Sequence, residues 1–423
     1  MMDLVSWANA YESLIGRIPE HVRRARLILG GFSTCVDKYL SLHDLELARR
    51  EAPGTPAEGL FAELDQRAMR GIDSEFFFDW AEGPQWLDRH VHARDALGGS
   101  SAQAAQQLAI LGAPALIAIG ERSKAQLSVI HENVLIATES GALPRRSVTP
   151  NGNLTKPPHY IFEYTAGKTI RSSVVPRSSR TIVRFAASEL EHDTAFDQIS
   201  VQLAVESGGG IVCGFNGLPS HELDSELDYA AEIAKAWRAR GLGLIHLELG
   251  YYQRTAKRDR VLAAIGPIVT SMGMSLTELI GLVPDTDPVQ EKAMRLGDTF
   301  GLSRVCVHAD EWAMVLTRSD TEREREALMM GSLVASSRAA TGSVGVPRNL
   351  PERARFIDPP FPAFEWRNGW KIICCPTPYI ATPAATIGLG DTFLAGTLLV
   401  LSASTLASSI DRDPIKSAFE PEK

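Results

Sequence analysis

Cysteine is scarce in this chain of 423 residues: five are present, at positions 35, 213, 306, 374 and 375. An odd, sparse set fits a reducing compartment better than a disulfide framework. No Cys-x-x-Cys pair occurs, so a zinc ribbon is not expected. Excess positive charge is also missing. Lys and Arg total 43 against 51 Asp and Glu, for a net charge of −8. Without a basic stripe to displace counterions, nucleic acid is not an expected partner. Long apolar runs are absent too. The N-terminal segment MMDLVSWANAYESLIGRIPEHVRR lacks the uninterrupted apolar core of a signal peptide and suits an amphipathic helix. The run from Phe393 to Ala407 is too short and too rich in Ser, Thr and Gly to cross a bilayer. A cytoplasmic protein follows as the expectation.

What is present is ordinary for a globular protein: 44% hydrophobic and 22% charged residues. Short apolar runs alternate with helical stretches, which predicts βα units and a mostly parallel sheet. Strands are expected at Arg26–Phe32, Ala115–Ile119, Leu244–Leu249, Pro267–Met272 and Arg304–His308. Helices are expected at Ala102–Leu111, around Leu223–Trp237 and at Glu322–Thr341, with a hairpin turn at Asn368-Gly369. Two stretches break the rhythm, Leu40–Trp86 and Pro144–Val183. Structureless loops of that length are uncommon in a compact domain. The expectation is a large α/β core (1–38, 87–143 and 185–423) with a small inserted lid lobe (39–86 and 144–184). The charged tail after Asp411 is expected to fray.

One segment carries chemistry. Ala385 to Thr397 reads ATIGLGDTFLAGT. Gly388 and Gly390 allow a tight turn and close approach of backbone to a ligand. With Leu389 they precede a helix starting near Asp391, whose free first-turn amides form an anion site. Such amides stabilise a phosphoryl group in flight, while Asp391 accepts the proton of an attacking hydroxyl. Plain capping by Asp391 is the competing explanation. Upstream, Leu97 to Gly120 reads LGGSSAQAAQQLAILGAPALIAIG. There Gly98 and Gly99 precede a helix that carries Gln103.

These two segments resemble the phosphate-side and sugar-side motifs of ribokinase-like kinases. Further segments resemble one branch, the ADP-dependent glucokinase and phosphofructokinase family. They are GFSTCVD at residues 31–37, HYIFEY at 159–164, His246-Leu247-Glu248, Ser275-Leu276-Thr277-Glu278, Val307-His308 and LMMGSLVASSRAATG at 328–342. The resemblance implies a three-layer α/β/α core with a mostly parallel sheet and a small α/β lid. It implies transfer of the β-phosphoryl of ADP to a hydroxyl of a sugar or sugar phosphate, giving AMP. It further implies Mg²⁺ held by Glu248 and Glu278, and sugar bound by Asp37, Gly98, Gly99 and Gln103. Ser-x-x-Glu at 275–278 is also a helix capping box, which explains its residue types equally well. His246 and His308 could be satisfied core histidines. Lys168, Arg177 and Arg180 in the lid are natural partners for an acceptor that already bears phosphate. Ser33, Cys35 and Ser275 stand where that branch carries Asn. Those departures leave open an acceptor other than glucose or a non-catalytic sensor; donor choice depends on pocket size, which leaves open an ATP-dependent kinase of the same fold. A homo-oligomer is also left open.

Overall fold

The computed structural model describes residues 4–403 apart from 154–155, 188 and 283–286. The expected frayed tail, and residues 404–407 of the C-terminal apolar run, lie outside the described residues.

Eleven strands form the main sheet. Seven neighbours run parallel, in the order Arg304–His308, Ser271–Ser275, Ile245–Glu248, Gly209–Val212, Ile28–Gly30, Ala115–Ile117 and Leu135–Thr138. Antiparallel strands finish both edges. Gly141–Pro144 closes one side. Trp312–Thr317, Trp370–Pro376 and Phe364–Arg367 extend the other. The last two are joined by Asn368 and Gly369, at φ 51° and 80°. Both central residues of a type I′ turn need positive φ, which is why Asn-Gly is found there.

Side chains alternate across the sheet as a strand's period of two requires. Val305 and Val307 face one layer and Cys306 the other; Met314 and Leu316 oppose Ala313 and Val315. One layer holds the helices Thr194–Leu203, Leu223–Ala239, Thr255–Ile265 and Val289–Phe300. The other holds Leu4–Arg24, Ser100–Leu111, Thr321–Thr341 and Leu389–Leu401. Helix upon sheet upon helix is the three-layer core expected from sequence. Small residues let the last two helices pack tightly. A side chain at Gly331 or Gly396 would strike the backbone of the opposite helix.

A second sheet of five strands stands beside the core, in the order Ser74–Phe77, Ser179–Arg184, His159–Tyr164, Cys35–Ser41 and Arg94–Gly98. Helices Glu46–Glu51, Pro56–Arg70 and Gly83–His90 cover one face of it, around Phe61, Leu64, Tyr160 and Phe162. This small sheet takes in Cys35–Ser41 and Arg94–Gly98, which begin on the core side of the boundaries expected at 38 and 87. The strand Gly141–Pro144 reaches the boundary expected at 144 while still paired in the main sheet.

Ties run from the lid to the core. Glu163 Oε1 accepts hydrogen bonds from Thr386 N and Thr386 Oγ1, each at 3.1 Å. Arg177 pairs with Asp310 at 2.7 Å, and Asn216 Nδ2 donates to Glu75 Oε2 at 3.1 Å. Among the described residues, no helix is long and apolar enough to cross a membrane.

Candidate active site

A cleft of about 680 Å³ opens between the two sheets, at the C-terminal ends of the parallel strands. In open α/β sheets these ends are where loops can converge on a ligand. Asp37, Gly99, Gln103, Glu248, Glu278, Gly388, Leu389, Gly390 and Asp391 all line it. Segments spread over most of the chain are thus brought to one wall-to-wall site.

At the floor, Gly388 is the N-cap of helix Leu389–Leu401, with φ 68°. That angle suits glycine, and a Cβ there would also strike Gln103 Oε1 and the Arg338 guanidinium. The first-turn amides of Leu389, Gly390 and Asp391 have no carbonyl available four residues earlier in the helix. They edge the cleft with the helix dipole behind them. Burial raises the carboxyl of Asp391 above its usual range; a hydrogen bond from Ser100 and the Arg338 charge pull it back. Ser100 begins the sugar-side helix, with Gly99 as its N-cap at φ 90°. Two helix N-termini therefore meet at Asp391.

Arg338 supports this floor, and sequence reasoning passed over it. It is buried, at 7% exposure, within helix Thr321–Thr341. Its Nη1 donates to Gly388 O at 3.0 Å and Thr392 Oγ1 at 2.9 Å; Nη2 donates to Gln103 Oε1 at 3.0 Å. Its signal was an arginine on the Gly331–Val334 face of a helix whose turns after Glu326 otherwise hold only uncharged, mostly small or apolar residues. Gln103 is consequently tied by its carbonyl oxygen, leaving its amide nitrogen for the cleft.

Glu248 and Glu278 form an acidic wall. Glu248 ends strand Ile245–Glu248, and Glu278 lies in the first turn of helix Leu276–Leu282. The capping box is real: Ser275 N donates to Glu278 Oε2 at 2.7 Å, and Glu278 N donates to Ser275 Oγ at 3.2 Å. The same carboxylate also faces the cleft, so capping and a ligand role coexist. Burial pushes both carboxyls up to about 7, against the pull of His308 and Arg304 on Glu248 and of the Ser275 hydrogen bonds on Glu278; the charge of Asp391 adds to the rise at Glu248, and that of Glu248 to the rise at Glu278.

His246 lies beneath Glu248, buried, and contacts Glu248 Oε2 through Nε2 at 3.0 Å. Its Nδ1 meets Ser271 Oγ at 2.8 Å. That hydroxyl in turn accepts from Arg304 Nη1 at 3.3 Å, and Arg304 is held by Glu324 at 2.9 Å. An ionised Glu248 can only accept, so Nε2–H donates to it, and the Nδ1 of the neutral ring accepts from the Ser271 hydroxyl. Burial and the Arg304 charge lower His246 to about 3, so the ring is neutral. His246 is thus a satisfied core residue that orients Glu248. His308, in contrast, lines the cleft beside Gly390 and Phe393.

Asp37 sits on strand Cys35–Ser41, at 4% exposure, with Cys35 two residues before it on the same face. Gly98 does not line the cleft. It pairs with Cys35 across the sheet, and a Cβ there would collide with Asp37 Oδ1 and Cys35 Sγ. Its role is to make room for that pair, while Gly99 reaches the cleft itself. Arg177 and Arg180 line the lid side. Lys168 is exposed and lies outside the lining.

Comparison with known proteins gives the chain a family. Residues 59–400 match the model of the ADP-specific phosphofructokinase/glucokinase conserved region. The ADP-dependent glucose/glucosamine kinase of Pyrococcus furiosus is 22% identical, covering 92% of this chain and 96% of that one. The ADP-specific phosphofructokinase of Thermococcus litoralis is 25% identical over 74% of this chain and 79% of that one. A solved ADP-dependent kinase in complex with fructose-6-phosphate and ADPβS superposes with a TM-score of 0.77 and 19% identity, covering 96% of this chain and 100% of the other. The chain belongs to the ADP-specific phosphofructokinase/glucokinase family.

Proposed function

We propose that this enzyme is an ADP-dependent sugar kinase in which Asp391 is the general base and the amides of Leu389, Gly390 and Asp391 hold the migrating phosphoryl group. Asp391 carries the reading: a carboxylate raised by burial, beside free helix-terminal amides and open to a large cleft. The acceptor hydroxyl gives its proton to Asp391. Its oxygen bonds to the β-phosphorus of ADP as the bond to the AMP oxygen breaks. Charge on the transferring oxygens meets fixed amides, which need no reorganisation. The products are AMP and a sugar phosphate. A raised pKa makes Asp391 a stronger base once deprotonated, which suits this task.

Glu248 and Glu278 fit a hard divalent cation such as Mg²⁺. When ionised they offer acceptor-only oxygens, and burial that disfavours their charge, with Asp391 acting on Glu248 and Glu248 on Glu278, is relieved by a cation. Mg²⁺ held there would screen phosphate oxygens. The His246 hydrogen bond orients Glu248 for that role.

Asp37 accepts hydrogen bonds from sugar hydroxyls, with the Gln103 amide and the Gly99 backbone beside it. Arg177 and Arg180 suit an acceptor that already bears a phosphate. A closed lid excludes water and suppresses hydrolysis of the donor.

The test crosses a panel of sugars and sugar phosphates with ADP and ATP, scoring AMP and ADP formation. Sugar-dependent AMP release from ADP is the expected result. Preference for ATP would remove the donor assignment. Binding of sugar and nucleotide with no turnover for any pair would make the chain a sensor.

A further inference from the structure

At the sugar end of the cleft, Asp37 and His159 line the wall with Cys35 buried behind them, three side chains that the phosphoryl-transfer chemistry does not need together. The three distances between their ligand atoms are nearly equal. Cys35 Sγ lies 3.5 Å from His159 Nδ1 and 3.6 Å from Asp37 Oδ1, and His159 Nδ1 lies 3.4 Å from Asp37 Oδ1. A tetrahedral zinc ion with ordinary bond lengths places S and N about 3.6 Å apart, S and O about 3.5 Å, and N and O about 3.3 Å. The edges of this triangle match that face of a zinc tetrahedron.

The scaffold fixes the triangle. Cys35 and Asp37 are two apart on one strand and so share a face. His159 starts the neighbouring parallel strand, directly in register with Asp37. Gly98, opposite Cys35 on the other neighbour, leaves the space that any larger residue would fill. Ligands carried by paired strands are better ordered than ligands on loops. Cys35 and Asp37 are buried, at 3% and 4% exposure, whereas His159 lies half-buried at the cleft wall. Among the described residues, this is the one group of three or more His, Cys, Asp and Glu side chains close enough to share an ion. The donor set of thiolate, imidazole and carboxylate is borderline-soft, and differs in kind from the all-carboxylate wall at Glu248 and Glu278.

We propose that Cys35, Asp37 and His159 bind a zinc ion with its fourth position open to the cleft, and that this ion competes with the acceptor sugar. The metal takes the Asp37 carboxylate that would otherwise accept sugar hydroxyls. Binding displaces the thiol proton of Cys35 to solvent. The competition rests on the sugar role assigned to Asp37; the metal site itself does not.

The full chain, stripped of metal with a chelator, is titrated with Co²⁺ as a spectroscopic stand-in for Zn²⁺. One equivalent should produce a thiolate-to-cobalt charge-transfer band in the near ultraviolet. Zn²⁺ should bleach it, and Mg²⁺ should not. Cys35→Ser should abolish the band. His159→Gln should weaken cobalt binding at least tenfold and guards against misfolding of the first variant. Cys374→Ala, in a core strand, should leave the band intact. Far-ultraviolet circular dichroism checks each fold. No thiolate band in the wild type, or a band that survives Cys35→Ser, overturns the site. If the site holds, Zn²⁺ should raise the KM for sugar without lowering kcat in the wild type, and much less in His159→Gln. Zinc that binds at the site and leaves the sugar KM unchanged overturns the competition, and with it the role of Asp37, while the metal site stands.

Discussion

The two ends of the cleft are built on different terms. On the proposed reading, main-chain amides and glycines do the recognising at the phosphate end, where Gly388, Gly390 and Asp391 carry the motif that resembles the ribokinase-like signature. At the sugar end, side chains do it, and Ser33 and Cys35 depart from the resembled pattern around Asp37. A phosphoryl group is the same in every reaction of this class, so an amide cradle has little to adapt. A sugar is distinguished by where its hydroxyls lie, and only side chains can follow that. On this proposal, specificity is set at one end and the chemistry at the other.

This contrast can be broken by substitution. The largest expected effect is at the phosphate end. Asp391→Asn should lower kcat by about 10³-fold, within the range for loss of a general base, with Kd values for nucleotide and sugar within threefold by calorimetry. Next is Gly388→Ala, which forces a left-handed residue and a collision with Gln103 and Arg338. The shifted amides should lower kcat by about 10²-fold, and a thermal melt should show a lower Tm. At the sugar end, Cys35→Asn puts in place the amide that the resemblance leads one to expect there. It should move the KM for the acceptor by about tenfold, in a direction that differs between sugars, and leave kcat within threefold. A large loss of kcat there would erase the proposed separation of the two ends.

The acidic wall gives the smallest, pH-dependent effect. Glu248 and Glu278 are raised from 4.5 to about 7 in the folded, ligand-free chain. Between those values the folded state binds more protons than the unfolded state. Stability contributed by the protonated carboxyls is present below about pH 4.5 and lost as pH rises through about 7. Urea unfolding in chelator should show this decline, and Mg²⁺ should offset it most above pH 7, where both carboxyls are ionised. A denaturation midpoint that is flat with pH, with or without Mg²⁺, would mean that the two carboxyls do not form one cation site.

Much of this architecture was legible in sequence because it is local. The helix expected at Glu322–Thr341 spans Thr321–Thr341, and the strand at Arg304–His308 is reproduced residue for residue. The Asn368-Gly369 turn followed from backbone conformation alone. Long-range pairing was not legible. Nothing in the residues around 35 or 94 shows that those strands join the lid sheet. Trp312–Thr317 is buried on both faces, so it lacks the alternation that marks a strand. The loop at Asp391 stood out because its glycines have no bulk role. Arg338 did not, because its three acceptors lie 50, 54 and 235 residues away. Gly98 was assigned to sugar contact, but its purpose is visible only once Cys35 and Asp37 are seen across the strand.

The central claim is that Asp391 activates a sugar hydroxyl against the β-phosphoryl of ADP. A single-turnover experiment with ADP labelled at the β-phosphorus, mixed with excess enzyme and acceptor sugar, tests it most directly. The wild type should move the label into the sugar ester, and Asp391→Asn should leave it on bound ADP over the same interval. Label appearing as inorganic phosphate in the wild type, or reaching sugar at an unchanged rate in the variant, would contradict the account.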